Sequence, residues 1–216
     1  MNAAHRPVML KEAVDALAVQ ADGIYMDGTF GRGGHSREIL ARLGPKGRLL
    51  ALDRDPEAHA SAETLAATDS RVTVYRAAFS MLERIATQAG VSGRVNGVLL
   101  DIGVSSAQLD DARRGFSFTQ NGPLDMRMDP TSGESAAEWL MRAPEADIAD
   151  VIHEYGEERH ARRIARAITT ARTTTPLTDT LQLAEIVSRA VPRHERHKHP
   201  ATRSEEHTSE LQSRHN

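Results

Sequence analysis

Cysteine is absent from the 216 residues, which excludes disulfide bonds and thiolate zinc sites. No hydrophobic run approaches the length needed to cross a bilayer, and the N-terminal residues lack the apolar core of a signal peptide. We therefore expect a cytoplasmic protein that does not enter a membrane. An excess of positive charge is also missing, because the formal net charge is -3. A nucleic acid would therefore have to bind a local basic patch.

The most informative stretch is a loop that carries four glycines, at positions 28, 31, 33 and 34. It follows the apolar run Ile24–Asp27 and precedes a helical pattern over Ser36–Leu43, so it predicts a strand, a tight loop and a helix. Glycine allows a ligand to approach the main chain closely, and the N–H groups of the next helix point at the loop. A nucleotide-like cofactor is the predicted occupant. The spacing departs from the dinucleotide fingerprint G-x-G-x-x-G, and the alternative is a purely structural turn.

Strands and helices alternate through the first half of the chain, which predicts a parallel sheet with helices on both faces. Ligands of such sheets bind beyond the carboxyl ends of the strands, where the glycine loop, Asp53, Phe79 and Asp101 are all expected. Asp53 follows the glycines by about 20 residues, as does the acid that holds the ribose hydroxyls in nucleotide-binding units; a plain surface acid is the alternative. The predicted strands are Ile24–Asp27, Leu49–Asp53, Val72–Tyr75 and Val95–Leu100, and the predicted helices are Leu10–Leu17, Ser36–Leu43, Glu57–Ala67 and Met81–Ala89.

After Ser106 the predicted strands stop, and residues 110–130 read as a loop rich in glycine and proline. Helices without intervening strands follow, which predicts a helical subdomain. We divide the chain into a cofactor-binding core (residues 1–108), a helical insert that binds substrate (109–203) and a tail (204–216). The predicted helices are Glu134–Arg142, Pro144 to a C′ glycine at Gly156, Glu157–Thr170, and one from the Asp179-x-x-Gln182 capping box to just before Pro192.

A basic surface is predicted in the helical insert. Arg159, Arg162, Arg163 and Arg166 recur at three- and four-residue spacing, and Arg189, Arg193, Arg196 and Lys198 follow. Such a surface suits the phosphates of a nucleic acid. The alternative is a solvated face whose arginines pair with Glu154, Glu157 and Glu158. Metal binding by His194, His197 and His199 is disfavoured, because they lie in a polar stretch bounded by proline and without helical register.

The last residues, Ser204–Asn216, contain one large apolar side chain, Leu211, and no periodicity. They cannot bury a face, so we expect them to be disordered. Their sequence also looks like the translation of a common sequencing-library adapter. We therefore expect the protein's own sequence to be cut near Arg203.

Several motifs between His5 and Arg203 resemble the bacterial 16S rRNA (cytosine-N4)-methyltransferases, the RsmH or MraW family. The resemblance covers nearly the whole chain and is highly specific. The motifs are Asp27-Gly-Thr-Phe-Gly-Arg-Gly-Gly-His-Ser36, Leu52-Asp-Arg-Asp-Pro56, Leu100-Asp-Ile-Gly-Val-Ser-Ser106, Gln108-Leu-Asp110, Arg114-Gly-Phe-Ser-Phe118, Pro123-Leu-Asp-Met-Arg-Met-Asp129, Tyr155-Gly-Glu-Glu-Arg159 and Lys198-His-Pro-Ala-Thr-Arg203.

The resemblance implies an α/β fold of the class I, S-adenosylmethionine-dependent, Rossmann-like type with a helical insert that helps to bind RNA. It implies methylation of N4 of a cytosine in the decoding region of 16S rRNA, within the assembled small ribosomal subunit. A homodimer is left open, and no metal is implied. The implied cofactor residues are Gly33, Gly34, His35, Asp53, Phe79, Asp101 and Gln108.

The resemblance also suggests what each of these residues does. The loop amides and His35 would meet the amino-acid end of the cofactor, Asp53 the ribose, and Phe79 and Asp101 the adenine and the methyl donor. Ala107 stands where the family usually has proline, which could loosen the turn before Gln108. The catalytic base is unassigned, and Asp101 is a second-choice proton acceptor.

Family members continue beyond Arg203 with strands that complete the sheet. We therefore expect an incomplete sheet with an unpaired edge, and a chain that is unstable or inactive by itself.

Three other functions share part of this pattern. A nicotinamide-dependent dehydrogenase would have the same sheet and ribose acid, but it predicts the stricter glycine fingerprint. A serine hydrolase could be argued from Gly103-Val-Ser105-Ser-Ala107, which resembles a nucleophile elbow. Its last residue is Ala107, and no downstream Asp–His pair accompanies it. A non-catalytic RNA-binding module would explain the arginines and leave the glycine loop without a purpose.

Overall fold

A division between Ile102 and Gly103 separates the chain into two compact units. The structure is a computed structural model and describes residues 7–192. The first unit contains a parallel sheet and the second is helical. The predicted division after residue 108, and the functions assigned to the parts, stay predictions.

The first unit is built on four parallel strands in the order β3-β2-β1-β4. Residues of β1 pair with β2 on one side and with β4 on the other. The predicted parallel sheet is thus confirmed, with bounds that differ by a few residues. Strand β4 is shorter than predicted, because Asn96 bonds to Ile24 partly through its side chain before the strand begins. The N–H of Asn96 donates to the carbonyl of Ile24, and Oδ1 of Asn96 accepts from the N–H of Ile24. The strands are β1 Ile24–Asp27, β2 Arg48–Asp53, β3 Val72–Arg76 and β4 Gly97–Leu99.

Helices cover both faces of this sheet, as predicted. Along β2, Leu49 and Ala51 enter one apolar cluster, and Leu50 and Leu52 enter a second cluster on the opposite face. Because successive side chains of a strand point to opposite faces, a strand buried on both sides reads as one continuous apolar run. A 3-10 turn over Phe79–Met81 comes directly before α4, which begins one residue later than predicted. The helices are α1 Leu10–Ala16, α2 Gly34–Arg42, α3 Pro56–Ala66 and α4 Leu82–Gln88.

Strand β4 has a neighbouring strand on one side only within residues 7–192. Large apolar side chains are exposed on it and just after it, among them Val98, Leu100 and Ile102. An apolar edge of this kind favours association with a further strand. The predicted effect on the stability and activity of the chain stays a prediction.

The second unit packs its helices around one apolar cluster that includes Leu140, Ile148, Ile164 and Ile168. Arg172 donates to the carbonyls of Leu140 and Ala143 and so ties the end of one helix to the loop after another. The helices are α5 Ser106–Asp110, α6 Ala136–Arg142, α7 Glu145–Glu154, α8 Ala161–Arg172 and α9 Thr180–Ala190. No helix among residues 7–192 is both long enough and apolar enough to span a membrane.

Three predictions for this unit change in detail. Helix α5 was not predicted, although Ser105 and Gln108 form its capping box. Gly156 occupies the predicted C′ position after α7, but the positive φ falls on Glu157. A glycine suits position 156 because a Cβ there would lie 2.7 Å from the carbonyl oxygen of Ile152. Helix α8 begins at Ala161 because the turn around Glu157 interrupts the predicted helix.

Candidate cofactor site

The carboxyl ends of β1, β2 and β4 meet where the chain changes direction in the sheet. Strands β2 and β3 lie on one side of β1, and β4 lies on the other. The glycine loop crosses these ends: the N–H of Gly28 donates to the carbonyl of Leu99, and the N–H of Phe30 donates to that of Leu52, both at 3.0 Å. In open α/β sheets this reversal of strand order is where ligands bind.

Glycine is required in the loop by contacts inside the protein itself. Gly33 has φ +74, and a Cβ there would lie 2.5 Å from the buried ring of Phe30. At Gly28 a Cβ would lie 2.6 Å from Leu100 and 3.1 Å from Phe79. The glycines therefore determine the shape of the loop, and evidence for a ligand must come from the polar groups that the loop presents.

Two backbone donors at the start of α2 have no partner in the described part of the chain. Gly33 is its N-cap and offers no side chain, and none of residues 7–192 accepts a hydrogen bond from the N–H groups of Gly34 and His35. Unpaired N–H groups at a helix N-terminus carry a partial positive charge and favour a carboxylate or phosphate. These donors therefore suit an anionic group of a ligand.

Asp53 ends β2 and is hydrogen-bonded to the glycine loop. Its Oδ2 accepts from the N–H of Gly31 at 2.8 Å, and its Oδ1 accepts from the N–H of Asp55 at 2.9 Å. Burial raises the pKa of Asp53 above its ordinary value, while these backbone donors act in the opposite direction. Each carboxylate oxygen keeps a second lone pair, so the side chain can still accept bonds from a diol.

Asp27 is a second carboxylate at this edge, and it is almost fully buried, with 1% of its surface exposed. Its Oδ2 accepts from the Ser36 hydroxyl at 2.7 Å and its Oδ1 from the N–H of Thr29 at 3.1 Å. Loss of solvation raises the pKa of Asp27 to about 6. Asp27 thereby connects the strand end, the loop and the first turn of α2.

Asp101 follows β4 and lies next to the same loop. Its N–H donates to Oγ1 of Thr29 at 2.7 Å, and its Oδ2 lies 3.8 Å from Nδ1 of the buried His35. That distance is too long for a hydrogen bond but allows attraction when the imidazole is protonated. About 40% of the Asp101 side chain stays accessible, so the carboxylate can reach a ligand.

The first unit thus brings together six of the seven predicted cofactor residues at one edge of the sheet. Phe79 is one of them: it lies beside Gly28 and is 43% exposed, an unusual exposure for a phenylalanine. The seventh, Gln108, belongs to the second unit. There its Oε1 accepts from the N–H of Ser105 in the capping box, and its Nε2 donates to the sulfur of Met128 at 3.3 Å.

Comparison with known proteins decides the family. Residues 2–205 match the MraW methylase family. The chain belongs to that family. The parallel sheet and the family together confirm the predicted fold class, the Rossmann-like class I methyltransferase fold.

Relatives of this chain carry the name "Ribosomal RNA small subunit methyltransferase H". The protein of Thioalkalivibrio sulfidiphilus is 64% identical over 201 residues, that of Nitrosococcus oceani 58% over 200, and that of Pseudoalteromonas atlantica 54% over 200. Each alignment covers 93% of this chain and 64% of the relative. The chain therefore spans somewhat less than two thirds of the length of these relatives.

Membership of a methylase family goes against the two rival enzyme classes, and the serine hydrolase also meets a structural objection. Ser105 is the N-cap of α5 and accepts the N–H of Gln108 with its hydroxyl oxygen. Its hydroxyl oxygen is thus engaged in capping a helix, whereas the hydroxyl of a nucleophile elbow is hydrogen-bonded to the histidine that activates it.

Some predictions fall outside the described residues. These are the basic residues Arg193, Arg196 and Lys198, the histidines His194, His197 and His199, and the tail from residue 204. Within residues 7–192 no three His, Asp or Glu side chains are grouped so that they could hold a metal ion.

Asp27, Thr29 and Ser36 have no predicted role, although all three lie in the glycine-loop motif. The position of Asp27 at the end of a buried apolar strand is a sequence signal that could have identified it as a site residue. The hydrogen bonds of Thr29 and Ser36 join residues from different elements, and no local pattern predicts them.

Proposed function

We propose that this chain is the greater part of an S-adenosylmethionine-dependent methyltransferase that modifies N4 of a cytosine in the decoding region of 16S rRNA. The observation that carries the proposal is the set of polar groups at the reversal of strand order, in a chain that belongs to a methylase family. The names of the relatives support small-subunit rRNA as the substrate.

The residues at this edge match the parts of S-adenosylmethionine. The N–H groups of Gly34 and His35, which bond to none of residues 7–192, suit its carboxylate, and the carboxylate of Asp53 suits its ribose hydroxyls. The exposed ring of Phe79 offers an apolar face for the adenine. When bound, the cofactor supplies an electrophilic methyl group.

The task of the protein is to position the acceptor. The lone pair of cytosine N4 is delocalised into the ring, so the amino group is a weak nucleophile and loses its proton late. Holding two reactants in the correct geometry can lower such a barrier by several kcal/mol, on the order of 7–11 in the best cases. The accessible carboxylate of Asp101 can accept a hydrogen bond from the amino group and so orient it. The base must leave its stack to reach this edge.

Helix α8 offers a surface for the RNA backbone. Arg162, Arg163 and Arg166 are exposed on it, while Ile164 and Ile168 pack into the core. Arg166 lies 3.6 Å from Glu145, and Arg162 and Arg163 form no ion pair within residues 7–192. The alternative in which Glu154, Glu157 and Glu158 neutralise these two arginines is therefore disfavoured. Unpaired guanidinium groups are well suited to phosphate.

Replacement of Arg162 and Arg163 together by Ala should weaken binding to unmodified small subunits about tenfold at moderate salt, because two phosphate contacts are lost. The slope of log affinity against log salt should become shallower by roughly 1–2. Filter binding at several salt concentrations measures both quantities. The matched control replaces Arg84 and Arg94, two exposed arginines of the first unit, by Ala. Equal effects in the two double variants would mean that α8 is not a specific RNA surface.

Transfer of a labelled methyl group to unmodified small subunits tests the whole proposal. The chain should first be completed with the remaining part of the Thioalkalivibrio sulfidiphilus relative, since it spans 64% of that protein. We expect label in 16S rRNA at N4 of one cytosine, located by nuclease digestion and mass spectrometry, and no label in subunits that already carry the modification. Label on another atom, or in another RNA, would contradict the proposed substrate.

A further inference from the structure

Tyr155, the C-cap of α7, presents an aromatic ring on the surface of the second unit. Its exposed fraction is 81%, against 1% for Tyr25, and its hydroxyl has no hydrogen-bond partner among residues 7–192. Val151 lies one turn earlier on the same face of α7 and is 40% exposed. A ring this exposed adds little to folding, and it is available to a partner.

The turn that carries Tyr155 is firmly held. The N–H of Glu158 donates to the carbonyl of Ile152 at 3.3 Å, and the buried carboxylate of Glu158 accepts from the N–H of His160 at 2.8 Å. Glu157 has a φ of +47°, a conformation that costs energy for any residue with a Cβ and persists only where the surroundings impose it. The ring therefore stands on an ordered turn, and little conformational entropy is lost when a partner covers it.

Positive charge lies at the same end of this helix pair. Helices α7 and α8 pack together around one apolar cluster. The short turn leads from Tyr155 to the first turn of α8, which carries Arg162 and Arg163. Both arginines are exposed and form no ion pair with any residue between 7 and 192. Their charges are complementary to the phosphates of a nucleic acid.

Acidic side chains flank the ring itself. Glu154 precedes Tyr155, Glu157 follows it two residues later, and both are exposed. They repel a phosphate that approaches the ring, whereas the uncharged face of a base meets no such repulsion. Tyr155 and Val151 alone are also too small an apolar patch for a stable protein interface, which buries roughly 800 Å² on each partner. These charges favour RNA bound with a base on the ring and phosphates on α8.

We infer that Tyr155 stacks on an unpaired base of the RNA while Arg162 and Arg163 hold its backbone. The inference rests on the proposed function, because it extends the RNA surface of α8. Proteins commonly bind unpaired RNA by stacking its bases on exposed aromatic rings. A double helix keeps its bases stacked on one another and presents no base face to the ring. Tyr155 therefore contributes affinity for single-stranded RNA and none for duplex RNA.

The test compares the wild type with Tyr155→Ala in the completed chain. The probes are an RNA single strand without internal pairing and a perfectly paired RNA duplex of the same length. Tyr155→Ala should bind the single strand about tenfold more weakly, as expected for the loss of one stacked base, and the duplex within about twofold of the wild type. The slope of log affinity against log salt should stay unchanged, because no phosphate contact is lost. Fluorescence anisotropy at several salt concentrations measures affinities and slopes.

Further variants separate stacking from other contacts. Tyr155→Phe keeps the ring and should stay within about twofold of the wild type. Tyr155→Leu keeps an apolar side chain without an aromatic face, and it should bind as weakly as Tyr155→Ala. The matched control is Leu181→Ala, which removes a 41% exposed apolar side chain from the first turn of α9 and should bind both probes normally. All Tyr155 variants should keep the wild-type melting temperature, because the ring is exposed.

Several outcomes would overturn the inference and leave the proposed function standing. One is unchanged binding of the single strand by Tyr155→Ala, and another is wild-type binding by Tyr155→Leu. An equal loss on both probes would mean that Tyr155 contacts the backbone, and a lower melting temperature would make it a structural residue. Dissociation of a wild-type dimer by Tyr155→Ala, with RNA affinity unchanged, would make this face an interface between copies. If the completed wild type binds the single strand through Tyr155 but methylates no small subunit, the proposed function fails and the inference stands.

Discussion

Asp53→Ala should weaken the binding of S-adenosylmethionine by about a hundredfold or more. In the site that we propose, the carboxylate accepts both ribose hydroxyls, and hydrogen bonds to a charged group are worth about 1.5–3 kcal/mol each. The change also removes the acceptor of the Gly31 N–H, which holds the glycine loop against β2. Isothermal titration calorimetry at neutral pH measures the loss.

Two further variants separate these contributions. Asp53→Asn keeps one carbonyl oxygen and should fall between the wild type and Asp53→Ala. Asp22→Ala removes an exposed acid that precedes β1, at the opposite edge of the sheet, and should bind the cofactor normally. Unchanged affinity in Asp53→Ala would remove Asp53 from the site. Tight binding of a nicotinamide dinucleotide in the same experiment would instead support the dehydrogenase alternative.

Replacing Asp27 by Asn should remove a pH dependence of about 3 kcal/mol from the free energy of unfolding. Burial raises the pKa of Asp27 from 3.8 to about 6, so between these values the folded protein holds a proton that the unfolded chain releases. The stability contributed by the protonated form is complete below pH 3.8 and is lost as the pH rises through 6. A difference of about 2 in pKa corresponds to about 3 kcal/mol.

Urea unfolding between pH 4 and pH 8 measures this effect as the difference between the wild type and Asp27→Asn. The wild type should lose stability relative to the variant as the pH rises to about 6.5, and the difference should then stay constant. Asp53 has a pKa raised in the same direction, and it is present in both proteins, so it cancels in the comparison. Asp22→Asn is the control and should follow the wild type. Parallel curves for the wild type and Asp27→Asn would show that Asp27 is not the titrating group.

A charge that lowers stability at neutral pH is typical of functional sites, where strained or desolvated groups serve binding. Ionised Asp27 accepts from the Thr29 N–H and the Ser36 hydroxyl, and Thr29 in turn accepts from the N–H of Asp101. The destabilising carboxylate thus orders the loop that we propose for the cofactor. We regard the loss of stability at neutral pH as a consequence of using a buried carboxylate to order this loop.

Local patterns predicted the first unit well because each of its elements has a signature of its own. An apolar run that ends in an acid marks β1 and β2, and a proline at the first helical position marks α3. The second unit was harder to predict from local patterns. Helix α5 is only five residues long, and the start of α8 depends on the left-handed turn at Glu157. Short helices and non-glycine residues at positive φ have weak signals in a sequence.

The sequence by itself determined the order of strands and helices, the edge of the sheet where a ligand would bind, and the family, since motif and periodicity are properties of neighbouring residues. Tertiary structure alone decided that Asp27 is buried at 1% exposure and that Asp53 is bonded to Gly31. It alone decided that Glu157 takes a positive φ beside the exposed ring of Tyr155. Burial, pKa and backbone strain arise from groups far apart in the chain, and they exist only once the elements that carry them have packed together.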